Sequence, residues 1–278
     1  MENEKNIGVH ETAFVTSAFR ACDESLSRDK LARLWRNPKT EEWIAEYLDQ
    51  VSSEEIYTHC LRNRFFMDTI NNLIASQAIE VLINFGSGFS MYPFLLQKDL
   101  IHIEIDKPEI VGYKKEKIIE WQRNGILPKR TINFIGVDFS TDYRNKLQSK
   151  IDFIKGKKSS FILIEGVLFF LTIAQTDSLF SFFDTIQESG DYIGSASFQE
   201  SLKDTLAFEN LLNFFNQKVS KTDENDYQTL PDSYYQSNNH YKLIDHQDYY
   251  SLSALYEHKI QQQKQHILNE NFYILRKI

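Results

Sequence analysis

The sequence predicts an α/β fold, a mostly parallel sheet with helices on both faces, preceded by a helical cap. Three observations predict it. Five short apolar runs rich in branched side chains follow one another at 79–85, 100–106, 131–137, 160–164 and 192–198. Helical periodicity fills the intervals between them, at 92–96, 110–121, 141–150 and 172–188, and such alternation builds crossover units. No strand candidate occurs before residue 79. The strands read as nearly continuous apolar runs, the pattern of burial on two faces.

Each element has a local reason. Residues 11–21 place Ala13, Phe14, Ala18, Phe19 and Ala21 close to one helical face. Segments 29–35 and 40–47 are also helical, divided at Asn37-Pro38. Ser52 or Ser53 is the candidate cap of a longer helix reaching about Ile74, with Glu54 and Glu55 suiting the dipole of its first turn. The run 79–85 ends at Gly86; the next three close on acid, at Asp106, Asp138 and Glu165. Later, 241–245 and 272–277 read as strands around a helix at 252–265, and the second strand closes the chain. Residues 199–240 form a long insertion between strands, with an apolar helix at 206–215, a polar stretch at 220–228 and the pair Tyr234-Tyr235. Insertions of that length are often lids. The expected organisation is a helical cap over 1–75 and a ligand-binding domain over 76–278 with its lid at about 199–240.

Composition narrows the function. The chain has 278 residues, of which 42% are apolar and 25% charged, a globular profile. Its net charge of −8 argues against nonspecific nucleic-acid binding. Two basic clusters, Lys114, Lys115, Lys117 and Lys155, Lys157, Lys158, read as solvated helix or loop ends. Cys22 and Cys60 make no disulfide framework, and the seven histidines show no metal-ligand spacing. The first nine residues carry no apolar signal region, and the most apolar stretch, 161–171, is too short to span a bilayer. A reducing, cytoplasmic location without membrane partners is expected.

The unusual residues fall at strand ends, where open parallel sheets bind ligands. Gly86-Ser87-Gly88 follows the first strand, and a glycine turn lets backbone approach a ligand and aims the next helix at it. Glu104 and Asp106 close the second, with Asp106 about 20 residues beyond Gly86, the distance of a carboxylate that accepts ribose hydroxyls. A dinucleotide fingerprint requires a small residue at position 91, which is Met, and no phosphate-binding GxxxxGK[ST] loop occurs. S-adenosylmethionine, an adenosine cofactor without phosphates, remains. Asp138 then suits the adenine amino group, with Phe139 against the base.

Six blocks in order resemble the leucine carboxyl methyltransferase family, including its bacterial polyketide O-methyltransferase-like branch. They are Thr12-Ala13 with Ala18-Phe19-Arg20-Ala21 and Glu24-Ser25; Arg62-Asn63-Arg64-Phe65-Phe66 with Asp68; Asn84 to Gly88; Glu104-Ile105-Asp106-Lys107-Pro108 with Tyr113-Lys114; Val137-Asp138-Phe139; and Glu165-Gly166-Val167-Leu168 with Leu171-Thr172. The resemblance implies a Rossmann-like class I methyltransferase sheet with a C-terminal antiparallel strand, S-adenosylmethionine as cofactor and S-adenosylhomocysteine as product. It implies that Arg62, with Arg64 as competitor, pairs with the cofactor carboxylate, and that the Gly86 carbonyl accepts its amino group. Ser87, Gly88 and Glu104 complete the cofactor set, Asp106 holds the ribose, Asp138 and Phe139 read the adenine, and Glu165 sits by the amino group. A zwitterion needs such a cation and anion at fixed spacing. The chain departs from the branch at Gly88-Phe89-Ser90-Met91-Tyr92, where Gly-Leu-Asp-Thr-Arg is usual.

Methyl transfer from a sulfonium needs alignment and exclusion of water. A carboxylate acceptor needs no base, whereas a hydroxyl acceptor usually does. His10, His240 and His246 lie in segments expected to cover the site, while His102 reads as a strand-end histidine. Arg20, Phe198, Tyr234 and Tyr235 are the candidate acceptor-side residues. The expected function is O-methylation of a small polyketide-like or carboxylic-acid acceptor. The alternatives are carboxyl methylation of a protein C-terminus and cofactor binding without catalysis.

Overall fold

The structure is a computed structural model that describes residues 9–97, 100–138, 142–218 and 227–278. Strands β1 (Val81–Phe85), β2 (Ile101–Asp106), β3 (Ile132–Gly136), β4 (Ser160–Ile164), β5 (Tyr192–Phe198), β6 (Tyr241–Asp248) and β7 (Glu270–Lys277) form one sheet in the order β3-β2-β1-β4-β5-β7-β6. Strands β1 to β5 pair in parallel, and β7 runs antiparallel to both β5 and β6. Every residue of β1 and β4 is buried, while the edge strands β3 and β6 are partly exposed, as one-sided cover dictates. Chain order reverses between β1 and β4, which opens a crevice at their carboxyl ends.

Helices α5 (Tyr92–Leu95), α6 (Pro108–Arg123), α7 (Arg144–Lys155) and α8 (Ile173–Ile186) connect the parallel strands. Before β1 come α1 (Val9–Cys22), α2 (Glu24–Ser27), α3 (Pro38–Gln50) and α4 (Glu55–Ala75). Asn37 caps α3 through its side chain, with Pro38 in the first turn, so the dipeptide read as a divider is the start of a helix. The segment 199–240 contains α9 (Leu206–Lys218) and α10 (Asp232–Gln236). Helix α9 packs Phe214 on Trp43 and Tyr47 of α3, so the insertion and the N-terminal helices share one core.

Several expectations change. The segment 29–35 is a 3-10 turn over Ala32–Trp35, after the short α2 capped by Asp23. Neither Ser52 nor Ser53 caps α4; Ser52 instead donates to the His266 carbonyl. Glu54 is buried, accepting from the Tyr249 hydroxyl at 2.5 Å and from the Gln261 and Gln262 amides. The helix expected over 252–265 is α11 (Tyr249–Leu255), which stops where Glu257 adopts a left-handed φ of 57°.

The basic clusters are not wholly solvated. Lys114 is fully buried, with Nζ 2.5 Å from Glu104 Oε2, and Lys155 is buried 3.3 Å from Asp191 Oδ2. Each buried cation meets a carboxylate, Glu104 in β2 and Asp191 just before β5, which offsets the cost of burying its charge. No helix among the described residues is long and apolar enough to cross a membrane.

Candidate functional site

At the carboxyl ends of β1, β2 and β4 lies a cavity of about 410 Å³. Its floor is the loop from Gly86 to Ser90, its side walls include Asp106 and Glu165, and its roof is α1 with Thr12, Thr16 and Arg20. Gly86 takes a φ of 67°, and a Cβ there would stand 2.1 Å from Val167 Cγ2, so only glycine fits. The amides of Gly86 and Ser87 both donate to the Ile105 carbonyl, which ties the loop to β2.

Asp106 is fixed by the same loop. Its Oδ2 accepts from the Gly88 amide and its Oδ1 from the Lys107 amide, each at 2.8 Å. Burial pushes its pKa up, and those two N–H groups oppose the shift. Glu104 does not line the cavity. It is 1% exposed and ion-paired to Lys114, whose Nζ also donates to the Ser87 carbonyl at 3.2 Å. Glu104 therefore supports the glycine loop from beneath and is not among the residues that line the cavity. Helix α5 is a single turn beginning at Tyr92, so the glycine turn is not followed by a long helix aimed at the ligand.

The departure after Gly88 has a structural account. Phe89 stacks on Trp35 with centroids 4.4 Å apart, and Met91 shares that buried cluster with Ile118 and Trp121. Ser90 accepts from Asn84 and donates to the Ser87 carbonyl, which closes the loop on itself. The Tyr92 hydroxyl donates to Glu165 Oε2 at 3.0 Å.

Arg62 and Arg64 part company. Arg62 is buried and lines the cavity; its Nη1 donates to both Glu270 oxygens at 2.8 Å, and its Nε lies 3.5 Å from Glu165 Oε1. Burial opposes its charge, but the Glu270 and Glu165 carboxylates together hold its pKa up. Arg64 points elsewhere, with its guanidinium 4.0 Å over the Tyr256 ring, and does not line the cavity. Two residues along a helix turn the side chain by about 200°, so both cannot serve one site. Arg20 does reach the cavity, donating to Asp29 at 2.9 Å and to the Phe89 carbonyl at 3.4 Å.

A second, smaller pocket of about 100 Å³ adjoins the first and shares Thr12, Thr16, Arg62, Gly166 and Phe170 with it. Its wall is largely aromatic, with Phe19, Trp43, Tyr47, Phe169, Phe198 and Phe215. Glu55, His59 and Glu270 also line it, and sequence reasoning missed all three. Burial and then the Glu270 charge raise the Glu55 pKa to about 8. Burial and then Arg62 hold the His59 pKa well below its usual value. His59 Nδ1 lies 2.9 Å from the Glu55 carbonyl oxygen, which only an N–H satisfies, so its lone pair is on Nε2.

Of the remaining expected residues, Phe198 lines the second pocket. Tyr235 is core: it stacks on Tyr273 at 3.8 Å and hydrogen-bonds Ser195 and Ser197. Tyr234 packs on Phe180 and lines neither pocket. His240 is exposed near Asp184, and His246 stacks on Tyr273, so neither reaches the site. His102 is buried within β2. Asp138 is exposed just past β3 and does not line the larger cavity. Phe139 and the side chain of His10 lie outside the described residues. A wider groove of about 1180 Å³ runs along the opposite, amino-terminal strand ends past Glu80, Arg123, Lys129 and Lys158, away from the crevice.

Comparison with known proteins decides the family. The sequence profile described as leucine carboxyl methyltransferase matches residues 13–184, more than half of the chain. The chain belongs to the leucine carboxyl methyltransferase family. It is accordingly an S-adenosylmethionine-dependent methyltransferase. Among solved structures, a Thermobifida fusca protein provisionally assigned as a methyltransferase superposes with TM-score 0.67 at 11% identity, covering 98% of this chain and 95% of its own. A DUF574 family protein from Streptomyces avermitilis gives TM-score 0.61 at 10% identity, with 99% and 98% covered. Magnesium protoporphyrin IX methyltransferase from Synechocystis, solved with S-adenosylhomocysteine, gives 0.50 at 13% identity, with 92% and 100% covered. At these identities the likeness is one of fold. No curated protein matches the sequence.

Proposed function

We infer that the chain is an O-methyltransferase acting on a small molecule. The larger cavity takes S-adenosylmethionine and the adjoining aromatic pocket takes the acceptor. One observation carries this reading: the two cavities are contiguous, and Arg62, Gly166 and Phe170 line both. A donor and an acceptor held in adjoining chambers meet at that boundary, the condition for in-line displacement. The bound cofactor supplies an activated methyl group on a sulfonium. The protein supplies alignment and a dry chamber.

The roles of the residues follow from their chemistry. Asp106, oriented by two backbone amides, is the acceptor for a pair of ribose hydroxyls. Arg20 and Arg62 are the cations facing the cavity from α1 and α4, suited to the cofactor carboxylate, and Glu165 is the anion suited to its ammonium. Gly86 lines the same cavity, and its backbone carbonyl is the second acceptor assigned to the ammonium in this reading.

The reading is tested by incubating the chain with S-adenosylmethionine and a panel of aromatic alcohols, aromatic acids and peptides with a free C-terminal leucine, with products identified by mass. A gain of one methyl group on small acceptors supports it. Methylation confined to peptides transfers the assignment to a protein carboxyl methyltransferase.

A further inference from the structure

The nature of the acceptor can be argued from the second pocket, and the argument rests on the reading that the acceptor binds there. Glu55, His59 and Arg62 fall at i, i+4 and i+7 on α4 and so share one face, a polar stripe turned into an otherwise aromatic pocket. Glu55 is 3% exposed. Its Oε2 accepts from the Tyr47 hydroxyl at 3.1 Å, whereas its Oε1 is buried with no hydrogen-bond partner. A buried carboxyl oxygen without a donor is costly, and a ligand that supplies one recovers that cost.

Charge selects the donor. Among the described residues lining this pocket, Arg62 is the one permanent cation; Glu270 holds its Nη1 through both oxygens, and the reading above gives its remaining N–H groups to the cofactor carboxylate. The ring of His59 carries no charge when Nδ1–H donates to the helix and burial suppresses protonation. An acceptor carboxylate entering here meets Glu55 and Glu270 with no cation left to pair it. A neutral hydroxyl meets the vacant acceptor on Glu55. The ring carrying it meets Phe19, Trp43, Phe169 and Phe198, whose faces and edges favour aromatic partners.

We propose that this pocket takes a phenol, whose hydroxyl donates to Glu55 Oε1, and that Glu55 receives its proton during methyl transfer. The step balances. The phenolic O–H bond breaks and its proton goes to the Glu55 carboxylate. The oxygen bonds to the methyl carbon, and the C–S bond pair returns to sulfur, which leaves as the neutral thioether. Glu55 then fills a role for which the sequence singled out no residue, His10, His240 and His246 being candidates by their place in covering segments alone. The groups that face it are Tyr47 from α3, His59 and Arg62 on its own helix, and Glu270 from β7.

The test uses the full chain with 4-fluorophenol and 4-fluorobenzoate as probes, titrated by fluorine NMR at pH 8.5. The phenol is expected to bind at least tenfold more tightly than the benzoate. Glu55→Gln, which keeps shape and one acceptor oxygen but cannot ionise, is expected to narrow that ratio below threefold. Glu55→Met, which removes the acceptor, is expected to weaken phenol binding at least fivefold. With S-adenosylmethionine, 4-fluoroanisole is expected from the wild type, at a rate that rises up to about pH 8 and loses that rise in Glu55→Gln. Equal or tighter binding of benzoate, no binding of either probe, or an unchanged ratio in Glu55→Gln overturns the proposal. Absence of 4-fluoroanisole despite phenol binding overturns the proton-acceptor role. S-adenosylhomocysteine titrated alone separates the two readings: its failure to bind removes the cofactor assignment and leaves the phenol comparison standing.

Discussion

Gly86→Ala probes the floor of the cofactor cavity at one atom. Glycine adopts φ 67° there without strain, and a Cβ would sit 2.1 Å from Val167 Cγ2, far inside contact distance. An alanine in this left-handed conformation costs about 1–2 kcal/mol. Displacing Val167 or the loop adds about 1–3 kcal/mol of overpacking. The sum, about 2–5 kcal/mol, lowers the melting temperature by roughly 3–9 °C in a chain of 278 residues. Cofactor affinity falls as well, because the loop that orients Asp106 through the Gly88 amide must shift. The assay is a double-mutant cycle with Val167→Ala, read by thermal melting and by S-adenosylhomocysteine titration. Val167→Ala removes the clashing methyl and leaves its Cβ, at 3.5 Å, in ordinary contact, so it recovers the steric part and not the conformational part. A single variant that melts within about 1 °C of the wild type, or a cycle with no coupling, refutes this account of the loop.

Three further outcomes are expected. Lys114→Met leaves Glu104 buried without its cation and costs about 3–5 kcal/mol in denaturant unfolding; it also weakens S-adenosylhomocysteine binding, because the Ser87 carbonyl loses its donor. Lys114→Met with Glu104→Leu recovers most of that stability and not the affinity. The Glu55 carboxyl, raised to about 8 from an unfolded value near 4.5, keeps its proton in the folded state while the unfolded chain loses it. It therefore reduces stability progressively as pH rises from about 4.5 to 8, so the melting temperature of Glu55→Gln gains on the wild type across that window and stays level beyond it. In native protein one thiol, the exposed Cys22, reacts with a thiol reagent, and the buried Cys60 reacts only after denaturation.

The sheet was legible because strands buried on both faces leave continuous apolar runs, as 79–85 and 160–164 show. Asp106 was legible because a strand, a glycine turn and a terminal acid set its distance from Gly86. What eluded the sequence depends on partners far along the chain. Lys114 reads as one of a solvated group until Glu104, on another element, comes beneath it. The choice between Arg62 and Arg64 was open to helix phase: Arg62 shares a face with Glu55 and His59, and Arg64 shares one with Asp68. Glu55 suited a first helical turn, and its burial follows only from α1, α3 and α9 folding over it. Tyr234 and Tyr235 suggested an acceptor wall, but the insertion folds Tyr235 back onto β5 and β7. Helix α11 is shorter than 252–265 suggests because Glu257 takes a left-handed φ of 57°, and the stretch that follows offers Ile260 as its apolar contact with the core.

The most direct test of the central claim, that the crevice between β1, β2 and β4 holds S-adenosylmethionine, is calorimetric titration of S-adenosylhomocysteine into the wild-type chain and into Asp106→Ala. The account predicts one site with a dissociation constant on the order of micromolar, about −8 kcal/mol, and at least a tenfold loss in a variant whose circular dichroism is unchanged. A folded wild type that gives no heat of binding, or an Asp106→Ala that binds as well as the wild type, contradicts it.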